Sequence, residues 1–204
     1  MSNKLILIDI DGTVLDWANS FKQFMAIEGI IEKDDTQYHV WKWMSGLDGQ
    51  EITEEKGRFM VEYFNRSAWI AFLEPLRDSV EVVKALKEQG YEFKAITSLH
   101  KDRPAQALRK LNLNDVFGEG TISDIVFLPT GADKNEALEQ YRDSGAWWVE
   151  DKVENAIVGK NMGLNSIIIQ HEYNKNDYAD GIPVCKFWST VYKHITGERY
   201  VNNS

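Results

Sequence analysis

The feature that most constrains the fold is a regular alternation of short apolar runs with amphipathic stretches. The apolar runs are rich in aliphatic and aromatic side chains, as strands buried on both faces are. They span residues 4–10, 91–97, 121–128, 146–151 and 165–170. The stretches between them repeat apolar residues at helical spacing. Strands that alternate with helices predict an α/β fold, in which a parallel sheet is covered by helices on both faces.

Several of the amphipathic stretches have clear helical stripes. In residues 102–111 the spacing predicts that Ala105, Leu108 and Leu111 face the core. A last apolar stripe near the end of the chain is followed by Gly197, a residue typical of helix C-termini. Further helices are predicted over residues 79–90, 134–141, 153–162 and 187–196.

One segment interrupts the alternation. Residues 17–72 contain helical patterns without a clear strand, and they hold 11 of the 24 aromatic residues of the chain. Large rings let a small lobe bury enough area to be stable, so most of them are expected to form its core. The segment is therefore predicted to be a helical insertion after the first strand.

Composition restricts the class of partner. The 204 residues include 32 acidic and 23 basic ones, a net charge of −9, which argues against binding to a nucleic-acid polymer. The single cysteine, Cys185, excludes an intramolecular disulfide. Because the sequence has neither a signal peptide nor an apolar run of about 20 residues, we expect a cytoplasmic protein without a membrane partner. The oligomeric state stays open.

Two aspartates follow the first apolar run directly. Asp9 and Asp11 are two residues apart, so they share one face at the carboxyl edge of the predicted sheet, where α/β proteins bind ligands. Two carboxylates that close repel each other unless a cation lies between them or one holds a proton. The pair therefore indicates a cation or acid–base site, although acidic residues also make turns before a glycine such as Gly12.

Three more polar groups are predicted at later strand ends or helix starts. Thr97 and Ser98 offer hydroxyls that bind phosphoryl oxygens or cap the following segment. Lys134 begins a helix, where its charge opposes the helix dipole and indicates an anionic ligand. Glu150 and Asp151 end the fourth run, where a hard cation takes carboxylate oxygens.

Taken in this order, these groups resemble the motifs of the haloacid dehalogenase-like (HAD) hydrolase superfamily. The motif Asp9-Ile10-Asp11-Gly12-Thr13, then Thr97, Lys134 and the pair Glu150-Asp151 carry the resemblance, which covers residues 4–16 and 74–170. It implies a Rossmann-like core domain of residues 1–16 and 73–204. It also implies that residues 17–72 form a helical cap of the C1 type.

The resemblance also implies a Mg²⁺-dependent phosphatase. Asp9 would attack phosphorus to form an aspartyl-phosphate, and Asp11 would act as general acid and then general base. Mg²⁺ would be held by the Asp9 carboxylate, the Asp11 main-chain carbonyl and Asp151.

The remaining site residues receive supporting roles from the same resemblance. Thr97, with Ser98, and Lys134 would bind the phosphoryl oxygens. Glu150 and Asn155 would hold the direct ligand Asp151 in place without contacting the metal. The reverse assignment, with Glu150 as the direct ligand, stays open.

A cap of about 56 residues suits a small phosphorylated metabolite. The segments FLEPLRDSVEVVKALKEQG and ITSLHK are similar to parts of 5′(3′)-deoxyribonucleotidases, which implies a nucleoside monophosphate as substrate. The sequence departs from that family at two motifs. Residues 11–13 read DGT where the family tends to have DGV, and residues 150–152 read Glu-Asp-Lys where the family has Asp-Asp-Arg. Three alternatives stay open: a phosphosugar phosphatase, a phosphomutase and a non-catalytic binding protein with the same fold.

Overall fold

A computed structural model describes residues 4–29 and 54–201. Six strands form one sheet in the order β3-β2-β1-β4-β5-β6, and each neighbouring pair is parallel. The strands are β1 Leu5–Ile8, β2 Glu92–Thr97, β3 Ile122–Phe127, β4 Trp147–Glu150, β5 Asn165–Ile169 and β6 Val184–Cys185. The predicted parallel α/β sheet is confirmed. Strand β6 was not predicted, because a strand of two residues is too short to show a periodic pattern in the sequence.

The helices lie between the strands. In the described residues they are α1 Trp17–Ile27, α2 Glu54–Arg66, α3 Ser79–Glu88, α4 Arg103–Phe117, α5 Asn135–Glu139, α6 Val153–Asn161 and α7 Trp188–Thr196, with a short 3-10 helix at Ala68–Ala71. Helix α7 ends at Gly197 in the left-handed conformation, as predicted. None of the helices in these two ranges is long and apolar enough to cross a membrane.

Both faces of the sheet are buried, which explains the continuous apolar runs. Ile6 and Ile8 of β1 belong to the larger hydrophobic cluster, with residues of α3 and α7. Leu7, between them, points to the other face and packs in a second cluster with Trp148. Alternate residues of β1 therefore serve two cores, one on each side of the sheet.

Two burial predictions were wrong. Strand β3 lies at the edge of the sheet, so Ser123 and Asp124 are exposed rather than buried on both faces. Helix α4 is rotated relative to the predicted stripe, so Leu111 is 57% exposed. Its buried face consists of Ala105, Arg109, Asn112 and Leu113. These residues also follow helical spacing, but two of them, Arg109 and Asn112, are polar, and polar residues mostly lie on protein surfaces.

Helices α1 and α2 follow β1, as an insertion at this point requires. Phe21 and Phe24 of α1 and Phe64 of α2 are buried against one another, and Trp17 stacks on Phe21 with ring centroids 4.7 Å apart. These rings therefore form packing rather than a ligand surface. The aromatic residues Tyr38, Trp41 and Trp43 lie outside the described residues, and the boundaries of the cap stay a prediction.

Candidate active site

The parallel strands bring the predicted motifs to one edge of the sheet. Ile8, the last residue of β1, pairs with Ala95 of β2 and Val149 of β4, and the Asp9 amide donates to the Val149 carbonyl at 2.9 Å. The residues that follow β1 and β4 are therefore neighbours in space. This register explains why Asp9 lies close to Glu150 and Asp151, some 140 positions later in the chain.

Lys134 joins two of the acidic residues. Its ammonium lies 2.6 Å from Oδ1 of Asp9 and 2.7 Å from Oε2 of Glu150. All three side chains are almost completely buried, and Lys134 is the N-cap residue of α5, as the predicted helix start requires. Burial acts to lower the pKa of Lys134, but the Asp9 and Glu150 carboxylates outweigh it and raise the pKa. The lysine is therefore held in its charged form.

Asp9, Glu150 and Asp151 form a dense acidic group. One oxygen from each lies within 4.8 Å of the others, and all three residues are buried. Burial raises the pKa of Asp9 to about 7 against the opposing effect of Lys134, and that of Glu150 to about 6. Burial and then the Asp9 charge raise the pKa of Asp151. Three carboxylates against one ammonium leave an excess negative charge that a divalent cation would neutralise.

The two adjacent acids have different surroundings. Glu150 is satisfied by protein donors: Oε2 by Lys134, and Oε1 by the Lys152 amide at 3.0 Å and Asn155 Nδ2 at 3.4 Å. Oδ1 of Asp151 is buried with no hydrogen-bond donor in the described ranges, while its Oδ2 accepts from the Tyr173 hydroxyl. The oxygen left open belongs to Asp151, and a carboxylate oxygen of this kind fits Mg²⁺.

The two predicted hydroxyl residues also differ. The Thr97 side chain is completely buried at the end of β2, and its Oγ1 has no hydrogen-bond partner in the described part of the chain. The Ser98 hydroxyl donates to the Ala132 carbonyl at 2.7 Å, which fixes the loop before Lys134. Thr97 therefore retains an unused donor, whereas the Ser98 donor is already occupied by the protein.

The structure adds a basic residue that the sequence did not predict. Nη2 of Arg109, on α4, lies 2.7 Å from Oδ1 of Asp11, and the Arg109 side chain is completely buried. An arginine in an amphipathic helix is normally solvated, so its residue type did not indicate a buried position. Its spacing of four residues from Ala105 and from Leu113 was the available signal.

The segment after β5 contacts the loops that carry the first and last motifs. His171 Nε2 lies 2.6 Å from the Gly12 carbonyl oxygen, and the His171 and Tyr173 rings stack with centroids 4.7 Å apart. Asn174 Nδ2 donates to the Asp151 carbonyl at 2.7 Å. These contacts tie the loops that follow β1, β4 and β5 to one another, a role that the sequence left open for the residues from 171 onward.

Gly12 lies close to both the loop after β4 and the segment after β5. Its φ is +79°, and a Cβ there would lie 2.7 Å from both Asp151 Oδ2 and the Tyr173 hydroxyl. Glycine is the residue that tolerates both this conformation and this contact. The glycine of the first motif is therefore a packing requirement of the site.

The arrangement can support nucleophilic chemistry on an anionic group. Asp9 offers a buried carboxylate beside an ammonium, and Thr97 offers a free hydroxyl. Asp11 remains 22% exposed at the same edge.

Comparison with known proteins identifies one family. The family model of haloacid dehalogenase-like hydrolases matches residues 3–163. An uncharacterized 32.4 kDa protein of Enterobacteria phage T4, from the Gp30-rIII intergenic region, is 30% identical over 143 residues. The match covers 68% of this chain and 49% of the phage protein, so it spans about half the length of that relative.

Solved structures show the same fold. A predicted phosphatase from Clostridium acetobutylicum is 17% identical, with 97% of this chain and 100% of that chain covered and a TM-score of 0.63. The protein YfnB from Bacillus subtilis, bound to magnesium, is 14% identical, with 96% and 100% covered and a TM-score of 0.58.

Proposed function

The chain belongs to the haloacid dehalogenase-like hydrolases, and on that premise we propose that it is a Mg²⁺-dependent phosphatase acting on a small phosphomonoester. The observation that carries the proposal is the buried contact of Asp9 with Lys134, at 2.6 Å, beside Thr97 and Asp151 at one edge of the sheet. A nucleophile, a cation and a free hydroxyl are the groups that phosphoryl transfer requires.

The proposed reaction has two steps. A carboxylate oxygen of Asp9 forms a bond to phosphorus, the bond from phosphorus to the ester oxygen breaks, and that oxygen takes a proton from Asp11. Asp11 then takes a proton from water, whose oxygen attacks phosphorus as the Asp9–phosphorus bond breaks. The products are an alcohol and inorganic phosphate, and both aspartates return to their starting forms.

Lys134 and Thr97 are the proposed anchors of the phosphoryl oxygens. The Lys134 ammonium is buried and held in its charged form, so its field acts with little screening from water. Thr97 Oγ1 is a buried donor without a partner among the described residues. Ser98 stays a weaker candidate for the same role, because its hydroxyl already donates to Ala132.

Asp9, Asp151 and the main-chain carbonyl of Asp11 are the groups that would hold Mg²⁺. The unpaired Oδ1 of Asp151 and the excess of buried carboxylates support this assignment. Asn155 donates to Glu150, and these two residues would hold the metal-binding residues in place without contacting the ion. When bound, the ion supplies positive charge that offsets the repulsion between the Asp9 carboxylate and the phosphoryl group.

A nucleoside monophosphate is the proposed substrate class. Phe59 and Tyr63 of α2 remain 63% and 50% exposed and stack with their planes 5° apart. They line a cleft of about 540 Å³ with Glu62 and with Arg66 and Asp102, which pair at 3.5 Å; the motif residues do not line it. Exposed rings of this kind support stacking on a base, worth about 1–3 kcal/mol in nucleic-acid binders.

The nucleophile is tested by Asp9→Asn. We expect kcat with Mg²⁺ to fall by about 10³-fold or more, and acid quench to trap a phosphorylated peptide from the wild type but none from the variant. Asp115→Asn, at an exposed position of α4, is the matched control. Full activity of Asp9→Asn would exclude the proposal.

The substrate class is tested by a panel of nucleoside monophosphates and sugar phosphates, ranked by kcat/KM. A wide margin for nucleoside monophosphates supports the nucleotidase proposal. A wide margin for sugar phosphates would replace it with a phosphosugar phosphatase.

A further inference from the structure

Arg109 is a charged side chain that the proposed reaction does not yet use. It is completely buried on the core face of α4, and in residues 4–29 and 54–201 the one carboxylate paired with it is that of Asp11, at 2.7 Å. Burying a guanidinium is unfavourable unless partners compensate for its lost hydration. Because none of its three nitrogens has a hydrogen-bond partner there and Nη2 makes an ion pair alone, stability alone is a poor explanation for this residue.

The ion pair restrains one oxygen of Asp11. Oδ1, the oxygen beside Arg109, is buried, yet the Asp11 side chain is 22% exposed. The exposed part of the side chain therefore excludes Oδ1. An ion pair at one oxygen restrains the rotation of the carboxyl group and so the direction in which the other oxygen points.

We propose that Arg109 is a positioning residue that aims the carboxyl group of Asp11 at the ester oxygen of the substrate. The inference rests on the proposed function, in which the phosphorus–oxygen ester bond breaks while that oxygen receives the proton of Asp11. A misdirected carboxyl group would slow the departure of alcohols, which need the proton. Departure of p-nitrophenolate, which leaves without one, would be little affected.

The test compares an alkyl phosphate with p-nitrophenyl phosphate in the variant Arg109→Met, which replaces the guanidinium by an uncharged chain of similar length. We expect kcat/KM to fall about 100-fold for the alkyl phosphate and less than about 3-fold for p-nitrophenyl phosphate. The ratio kcat/KM is chosen because it reports the steps up to transfer of the phosphoryl group to Asp9. Equal losses on both substrates would overturn the inference.

Two further variants separate this inference from the proposed function. Asp11→Asn should show the same selective loss, and adding Arg109→Met to it should cause little further loss. If Asp11→Asn affects both substrates equally, the assignment of Asp11 as general acid fails. If it is selective and Arg109→Met is not, Arg109 has no positioning role.

Arg109→Lys keeps the inference testable should the methionine variant not fold. Lysine keeps the charge but not the planar geometry, so the selective loss should be intermediate. Equal losses on the two substrates in this variant contradict the proposal. Wild-type selectivity in a folded Arg109→Lys protein would also contradict it.

Discussion

Lys134 is the residue on which the charge balance of the site depends. It is the buried cation that contacts both Asp9 and Glu150, at 2.6 and 2.7 Å. Its place at the N-cap of α5 opposes the helix dipole, and two buried carboxylates offset that cost. A lysine at this position is unfavourable for the helix taken alone but favourable in the folded site. Conflicts of this kind are typical of functional residues.

Removing this charge should destabilise the protein in a pH-dependent way. In Lys134→Met, without metal, we expect the free energy of unfolding at pH 8 to fall by about 3–5 kcal/mol, because two carboxylates lose their partner. The loss should shrink at pH 5.5. Burial already raises the pKa of Asp9 to about 7 and that of Glu150 to about 6, so protonation relieves both below these values.

Urea unfolding at the two pH values measures this effect, with Lys84→Met at an exposed helical position as the control. A loss that is the same at both pH values would contradict the explanation by unpaired carboxylates.

His171 should make a pH-dependent contribution of its own. Burial lowers its pKa, and the adjacent Arg77 charge lowers it further, while the contact of its Nε2 with the Gly12 carbonyl opposes both. Because the pKa is lower in the folded state than the unfolded value of about 6.5, the neutral ring stabilises the fold above that pH. This contribution is lost as the pH falls through the folded value.

We therefore expect the stability advantage of the wild type over His171→Gln to be larger at pH 8 than at pH 5. The matched control is His194→Gln, on the exposed side of α7. Urea midpoints at both pH values provide the measurement, and an advantage that grows toward low pH would have the wrong sign.

At the scale of elements, strand ends were the most predictable part of the site. Continuous apolar runs located β1, β2 and β4, and parallel pairing then placed Asp9, Thr97 and Glu150 at one edge. The buried face of α4 was not predictable in this way, since helical spacing alone allowed two faces and Arg109 and Asn112 favoured the wrong one. The contact of His171 with Gly12 joins residues 159 positions apart, and no local pattern encodes it.

The segment after β5 should act on the proposed metal site through Tyr173. The Tyr173 hydroxyl donates to Oδ2 of Asp151, whereas Oδ1, the oxygen proposed to hold Mg²⁺, has no hydrogen-bond partner among the described residues. In Tyr173→Phe we expect the dissociation constant of Mg²⁺ to rise about 10-fold or more, as is usual when a group that orients a metal ligand is lost. Titration calorimetry on the protein without substrate measures it directly. Tyr178→Phe, in which the ring is 76% exposed, should bind Mg²⁺ as the wild type does.

The sheet extends beyond the region that matches the family. The matched region ends at residue 163, yet β5, β6 and α7 follow it and complete the sheet and its larger core. Ile167, Ile168 and Ile169 of β5 are completely buried, and Trp188 of α7 donates from Nε1 to the Thr13 carbonyl at 2.7 Å. Residues 164–201 therefore pack in the same core as the first motif.

A chain that ends after residue 163 should accordingly fail to fold cooperatively. It would expose the β4 edge and the apolar surface that β5 and α7 cover. We expect no cooperative thermal transition by circular dichroism and no stabilisation by Mg²⁺. A chain that ends at residue 201 should keep both properties, and cooperative unfolding of the shorter chain would show that the C-terminal segment is dispensable.

The crowding at Gly12 has an evolutionary consequence. A Cβ at this position would lie 2.7 Å from both the Tyr173 hydroxyl and Asp151 Oδ2, so positions 12 and 173 share one small volume. Across homologous chains, we expect a tyrosine at position 173 to occur together with glycine at position 12. A small residue at position 173 should not by itself admit a larger one at position 12, because the positive φ and the contact with Asp151 Oδ2 still require glycine.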